Sequence, residues 1–173
     1  ASNIKNAVGL EDPTIAGQPV RLVNIPGKTK TRGAEFLTRY RWDDFVVTGS
    51  YVYVDATEPD VPGVSRRTVP LTPRHTAGIV AMWEEEDQGR LGFEVYYTGK
   101  QELDDNPYRS QSRPYFEVGV LGEVAVGKAR FFVNLENLLN VRQTKYNRLL
   151  RQRRAANGSW TVDAWAPLEG FVV

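Results

Sequence analysis

The connections between the predicted strands of this chain alternate in length, and this feature limits the possible folds most. Six segments alternate apolar and polar side chains with a period of two, which is typical of a strand with two unlike faces. The connections run short, long, short, long, short, long: 42–44, 56–70, 84–89, 101–113, 127–128 and 138–164. A sheet built this way has short turns along one edge and long loops along the other, a rule that a β-sandwich has no reason to keep.

The segments have the length of strands that cross a membrane. They span residues 33–41, 45–55, 71 or 72 to 83, 90–100, 115–126 and 131–136, and 20–25 could end another strand. Roughly 9 to 11 residues tilted at about 45° cross a hydrocarbon layer, and short turns facing long loops are typical of outer-membrane barrels. We therefore predict an all-β antiparallel meander that is part of a transmembrane β-barrel.

Aromatic residues support this prediction, because they concentrate near both ends of the strands, as in the two interfacial girdles of such barrels. Those near the short turns are Tyr40, Trp42, Phe45, Trp83 and Phe131, and those near the long loops are Tyr51, Tyr53 and Tyr97.

Two other architectures stay open from the sequence. In the strand 90–100, Leu91, Phe93 and Val95 alternate with Gly92 and Glu94. A barrel would turn the apolar stripe toward lipid, whereas a soluble β-sandwich interaction module would bury it against a second sheet. A porin-like barrel without a plug is the third possibility.

Composition excludes several function classes. The 22 basic and 21 acidic residues nearly balance, which argues against a nucleic-acid binder. Without cysteine, no thiolate nucleophile or disulfide framework is possible. The single histidine, His75, follows Pro73-Arg74 at a predicted strand start and is more typical of a rim residue than of a metal ligand or catalytic base. We expect no catalytic residue, metal site or cofactor, and no enzyme activity.

Two motifs near the end of the chain resemble a known family. The first is Glu136-Asn137-Leu138-Leu139-Asn140, and the second, about two dozen residues later, is Trp165-Ala166-Pro167-Leu168-Glu169-Gly170. With the upstream segments 31–57 and 71–84, their order and spacing resemble the C-terminal end of TonB-dependent outer-membrane receptors. The resemblance covers the chain from about Asn24 onward.

The resemblance implies a function. Receptors of this family lie in the outer membrane of Gram-negative bacteria and import scarce nutrients such as ferric siderophores, energised by the TonB complex. The resemblance also implies that residues 1–173 are the C-terminal part of such a barrel domain, an open fragment of a larger barrel, with no plug domain among them. The implied partners are the plug and the rest of the barrel, outer-membrane lipid and lipopolysaccharide, a siderophore-like ligand and, indirectly, the TonB complex.

A basic run in the last long connection is the strongest charge feature. Its members are Arg142, Lys145, Arg148, Arg151, Arg153 and Arg154. A charge run of this kind is most often a solvated loop, but it could also contact lipopolysaccharide or an anionic ligand such as a ferric chelate. Because 140–160 lacks periodicity, we expect little burial there and the highest mobility in the chain.

Overall fold

The computed structural model describes residues 1–11, 19, 21–60, 64–156 and 158–173. Its strands and one short 3-10 helix, Gln143–Lys145, follow in chain order. The strands are β1 (Ser2–Lys5), β2 (Val8–Glu11), β3 (Arg21–Asn24), β4 (Lys28–Trp42), β5 (Phe45–Pro59), β6 (Arg66–Thr68), β7 (His75–Glu85), β8 (Gly89–Thr98), β9 (Tyr115–Val126) and β10 (Ala129–Leu135).

One antiparallel sheet holds most of these strands. Its order is β1-β4-β5-β7-β8-β9-β10, with β6 attached to β5, while β2 and β3 form a separate hairpin. From β4 onward each long strand pairs with the next one along the chain, which confirms the predicted meander. The sheet is open, because the described residues pair β4 with another strand along its outer edge only at residues 28–31.

The short turns form where the sequence offers residues that tolerate left-handed backbone. Asp43 has φ 47°, Asp87 has φ 65° and Gly127 has φ 59°. Aspartate and glycine adopt this conformation at lower cost than other residues. These three turns lie at the same edge of the sheet, as the alternation of connection lengths predicts.

The hairpin formed by β4 and β5 extends further from its turn than predicted. β4 begins at Lys28 rather than residue 33, and β5 ends at Pro59 rather than 55. Pairing continues to Lys30↔Thr57, and β6 adds to the extension. The prediction of a loop over 56–70 is therefore wrong at 56–59 and 66–68, and 61–63 lie outside the described residues. The extension is polar, so no apolar alternation marks it in the sequence.

The ends of other elements also differ from the prediction. β1 and β2 form before the first predicted strand segment, in residues without a clear apolar alternation. β3 confirms a strand within 20–25, although Val20 lies outside the described residues. β7 begins at His75 rather than 71 or 72, because Leu71 is left-handed, with φ 55°, and Pro70 and Pro73 have no N–H to donate.

Buried apolar side chains concentrate away from the sheet's centre. Among the described residues they are Ala56, Val141, Val162, Trp165 and Ala166. Four of these five follow β10, so the C-terminal segment packs onto the sheet rather than leaving it. No helix in the described part of the chain is long and apolar enough to span a membrane.

Candidate functional site

Cross-strand register collects the apolar residues of the long strands on one face of the sheet. A single row of partners runs Tyr40, Val47, Ala81, Phe93, Val120 and Leu135 across β4, β5, β7, β8, β9 and β10. We call this the apolar face. Its larger side chains are Phe36, Tyr40, Trp42, Phe45, Val47, Tyr51, Tyr53, Ile79, Trp83, Leu91, Phe93, Val95, Tyr97, Phe116, Val118, Val120, Val124, Phe131 and Val133.

The apolar face is uncovered in the described structure. Leu91 is 54% exposed, Phe93 47% and Phe116 50%. A sandwich would bury these side chains against a second sheet, and the other described sheet is only the small β2-β3 hairpin. The exposed stripe therefore favours the barrel over the sandwich.

The opposite face, which we call the polar face, carries the charged residues of the same strands. A row of partners across it contains Arg39, Thr48, Val80, Glu94 and Gly119. Other members include Arg41, Ser50, Arg90, Tyr96, Tyr115, Glu117, Glu123, Arg130 and Asn134.

Two glycines make room for side chains that lie along the polar face. A Cβ at Gly119 would come within 2.6 Å of Glu94 Oε1, and one at Gly78 within 3.0 Å of the Tyr96 ring. The Tyr96 hydroxyl donates a hydrogen bond to Glu94 Oε2 over 3.1 Å. The two side chains are thus held flat against the sheet rather than projecting from it.

A shared carboxylate joins three strands near the short turns. Glu123 Oε2 lies 2.8 Å from Arg90 Nη2, and its Oε1 lies 2.8 Å from Arg130 Nη1. The carboxylate therefore links β8, β9 and β10 at this end of the polar face.

The two motifs that carry the family resemblance fold into one hydrogen-bonded structure, which we call the clasp (residues 136–143 and 163–172). Asn137 adopts φ 49° just after β10. Its Oδ1 accepts from the Val141 N–H over 2.8 Å, and its Nδ2 donates to the carbonyls of Val141 (2.8 Å) and Glu169 (3.2 Å). Glu136 and Val172 exchange two backbone hydrogen bonds of 2.9 and 3.1 Å, so the clasp aligns the chain's last residues with β10.

Gln143 is the centre of the clasp and has no exposed surface. Its Nε2 donates to the Asp163 carbonyl (3.0 Å), and its Oε1 accepts from the Trp165 N–H (2.8 Å). Its own backbone N–H donates to the Pro167 carbonyl (2.9 Å). The sequence analysis missed this residue, because one glutamine in a polar connection has no distinguishing pattern.

Trp165 anchors the clasp to the polar face at the long-loop end. It is 2% exposed, and its ring lies 6.5 Å from Tyr115 and 5.8 Å from Tyr146 between centroids. The Arg109 guanidinium sits 5.5 Å from the ring centroid, and Gln101 Nε2 donates to the Trp165 carbonyl over 2.9 Å. Trp165 therefore joins β9 to the long connection that precedes it and to the one that follows β10.

The other signature residues have distinct places. Leu138 donates its N–H to the Val118 carbonyl (2.8 Å), and Asn140 donates to Asn137 (2.7 Å). Gly170 leaves no room for a side chain, because a Cβ there would lie 2.3 Å from Asn140 Oδ1. Leu168 is half-exposed.

The structure does not bring the six basic residues of the last connection into one site. Arg142 lies against Gly170, Arg151 pairs with Asp105 over 2.9 Å, and Arg154 stacks over Trp160 at 4.7 Å. Lys145, Arg148 and Arg153 are exposed. The expectation of little burial in 140–160 is wrong at Val141 and Gln143, which are buried, whereas the other described residues of this stretch are part-buried or exposed.

Ion pairs also tie the long-loop end together. Arg67 on β6 binds Glu58 (2.8 Å) and Asp104 (3.1 Å). Partial burial alone would lower the pKa of Arg67, but its hydrogen bond to Glu58 and the charge of Asp104 together raise it above the usual value. The described residues contain no group of three or more His, Cys, Asp or Glu side chains that could hold a metal ion.

Two solved structures resemble this sheet. The ferric-catecholate import receptor Fiu from E. coli, in a closed form, superposes with a TM-score of 0.58 at 20% identity over 80% of this chain and 20% of Fiu. A point mutant of the ferric enterobactin receptor PfeA from Pseudomonas aeruginosa, in complex with enterobactin, gives 0.61 at 18% identity over 98% of this chain and 26% of PfeA. This chain thus spans about a fifth to a quarter of either receptor, and the likeness concerns the fold.

The sequence itself matches a family. No curated protein matches the chain significantly. The family model described as TonB dependent receptor-like, β-barrel matches residues 2–138, well over half of the chain. With the open two-faced meander already described, this match establishes that the chain belongs to the TonB-dependent receptor-like β-barrel family.

Proposed function

We propose that residues 1–173 form the C-terminal part of the barrel domain of a TonB-dependent receptor in the outer membrane of a Gram-negative bacterium. The plug domain and the rest of the barrel are then supplied by other parts of the same receptor. The observation that carries this proposal is the sheet itself, with one exposed apolar face, one polar face and an unpaired edge on β4. Lipid covers the apolar face, and the polar face lines the lumen around the plug.

The receptor imports a scarce nutrient such as a ferric siderophore, with energy from the TonB complex, and catalyses no reaction. The two structures described above are of a ferric-catecholate import receptor and a ferric enterobactin receptor, which supports a ferric chelate as the class of cargo. The exposed Lys145, Arg148 and Arg153 lie in the last long connection, where cations would attract an anionic chelate.

Uptake by the full-length receptor in its own bacterium tests this function. Under iron limitation, accumulation of radioactive iron from a ferric catecholate should fall when the receptor gene is deleted, and equally when the TonB complex is inactivated. Uptake that persists without TonB would contradict the proposal and favour a plug-less porin-like barrel.

A charge reversal tests the proposed ligand contacts. Replacing Lys145, Arg148 and Arg153 by glutamate should weaken binding of the ferric catecholate, because repulsion replaces attraction. The matched control is Lys128→Glu in the short turn at the opposite edge of the sheet. Equal binding by the triple variant and this control would exclude the three side chains as ligand contacts.

A further inference from the structure

The two long connections that meet at the clasp each fold back on themselves as a small hairpin. The arms of the first hairpin, residues 101–112, are joined by backbone hydrogen bonds of 2.8 Å. Those of the second hairpin, residues 149–162, are joined near its base by backbone hydrogen bonds of 2.7 and 2.9 Å. A two-stranded hairpin of this size is at best marginally stable in water by itself, so each hairpin depends on contacts outside its own arms.

The two hairpins support each other along a line of contacts that we call the seam, where residues 105–109 meet residues 146–151. The contacts across it join Asp105 to Arg151, the Tyr108 hydroxyl to the Leu150 carbonyl, and Arg109 to the Tyr146 carbonyl. The ion pair is 2.9 Å long, whereas the hydrogen bond from Arg109 Nη2 is a weak 3.4 Å. Side chains of the first hairpin therefore hold the backbone of the second connection.

Arg109 links the seam to the clasp. Its guanidinium lies 5.5 Å from the Trp165 ring centroid, and the Trp165 and Tyr146 centroids are 5.8 Å apart. The Arg113 guanidinium lies 5.2 Å from the Tyr146 ring centroid. Two cations of the first hairpin thus alternate with two rings of the last connection, and such cation–ring contacts are attractive.

The seam has little apolar burial, unlike the clasp. The buried apolar side chains of this region all lie in the clasp or directly beside it: Val141, Val162, Trp165 and Ala166. Among the described residues of 101–112 and 144–161, no apolar side chain is buried. Segments with few buried apolar contacts open at a lower free energy than the rest of a protein.

Unpaired polar atoms also weaken the closed seam. Four of them are buried without a hydrogen-bond partner among the described residues: Asn106 Nδ2, Arg109 Nε, and Nδ2 and Oδ1 of Asn147. Such groups destabilise the arrangement that buries them, and opening the seam would let water reach them. Two atoms of the clasp, Arg142 Nε and Trp165 Nε1, are also unpaired, but apolar burial offsets their cost there.

We propose that the two hairpins open and close as a single latch at the long-loop end of the polar face, while the clasp stays in place. The latch lies at this face because Trp165, which both connections contact, packs against Tyr115 of β9. Neither hairpin is stable alone, so loss of the seam releases both together. The identity of the transported ligand does not enter this inference.

Hydrogen exchange of the full-length receptor in detergent micelles, measured by mass spectrometry without ligand, tests the latch. The variants Arg109→Gln and Asp105→Asn change the first hairpin, and exchange is read in the second hairpin, in peptides that cover 149–162. The Asp105 side chain is 69% exposed, so its substitution spares folding. Arg148→Gln is the control, because it removes an exposed guanidinium that makes no contact across the seam.

Both variants should speed exchange in 149–162 by at least about threefold, the order expected from losing one cation–ring contact or one ion pair. The control should match the unmodified receptor, and peptides of the clasp from 136–143 should keep their rates in every variant. Unchanged exchange in 149–162 in both variants would show that the connections are independent loops and would overturn the proposal. An equal rise in 136–143 would overturn it too, because hairpins and clasp would then loosen together. The uptake experiment above tests the proposed function separately.

Discussion

Phe93 and Glu94 are adjacent on β8 but lie on opposite faces, which makes them a sensitive pair at the residue scale. In the membrane-embedded receptor, Phe93→Arg should lower the free energy of unfolding by ~2–4 kcal/mol if the site lies near the bilayer midplane. Glu94→Gln should cost far less, because its oxygen can still accept the hydrogen bond from Tyr96. Denaturant unfolding of the full-length receptor in vesicles measures both changes.

Spin labels at the same two positions separate a barrel from a sandwich. Position 93 should respond to a lipid-soluble relaxation agent and position 94 to a water-soluble one. A label at 93 shielded from both agents would mean that another protein layer covers the apolar face, and the membrane placement would fail.

Gly170 gives a second residue-scale prediction. Gly170→Ala should destabilise the clasp by about 1–3 kcal/mol, the usual cost of overpacking, because the new Cβ would lie 2.3 Å from Asn140 Oδ1. Gly122→Ala is the matched control, since its Cβ would meet its nearest neighbour, Val133, at an ordinary 3.6 Å. Thermal unfolding of the full-length variants compares them. Equal unfolding midpoints would show that the clasp accommodates the added methyl group without loss of stability.

At the scale of elements, the segment after β10 is held by contacts that differ along its length. The Arg151 side chain is 10% exposed and pairs with Asp105, and its Nε donates to the Thr161 carbonyl over 3.1 Å. Arg148 and Arg153 are exposed. The contacts of Arg151 therefore hold the segment in place at that residue, while Arg148 and Arg153 on either side of it are accessible.

Limited proteolysis should reveal this difference. Trypsin is expected to cut after Arg148 and Arg153 before Arg151, because cleavage requires local opening and Arg151 resists it. Asp105→Asn should speed cleavage after Arg151, while Asp104→Asn serves as a control that leaves this pair intact. Mass spectrometry of early fragments gives the order, and first cleavage at Arg151 in the unmodified protein would contradict the structure.

The whole sheet is open, so its function depends on the rest of a barrel. β4 leaves residues 33–42 unpaired along one edge in the described structure, and unpaired strand edges bind other strands or aggregate. Only closure satisfies every backbone hydrogen bond inside a membrane.

Residues 1–173 alone should therefore transport nothing. Reconstituted into liposomes with the coupling complex, they should give no energised, ligand-specific uptake, while the full-length receptor should. Specific uptake by these residues alone would show that the sheet forms a working pore without a plug or further strands.

The sequence determined the sheet and its two faces. Side chains alternate across a strand because of backbone geometry alone, so Phe93 and Glu94 could be assigned to opposite faces without any partner strand. Turn residues such as Asp43 and Gly127 act through their own backbone preferences, which is why the short turns were predicted and β9 matches its predicted range of 115–126. The family motifs were also visible in the sequence, because they are defined by residue types at fixed spacing.

Only the tertiary structure decided how those motifs meet. Gln143 is buried by hydrogen bonds to Asp163 and Trp165, 20 and 22 residues away, and Gln101 reaches Trp165 across 64 residues. Such contacts depend on how long connections return to the sheet, and no local pattern encodes them. The polar extension of β4 and β5 is likewise set by pairing between backbones, since backbone N–H and C=O groups can pair between strands whether the side chains are polar or apolar.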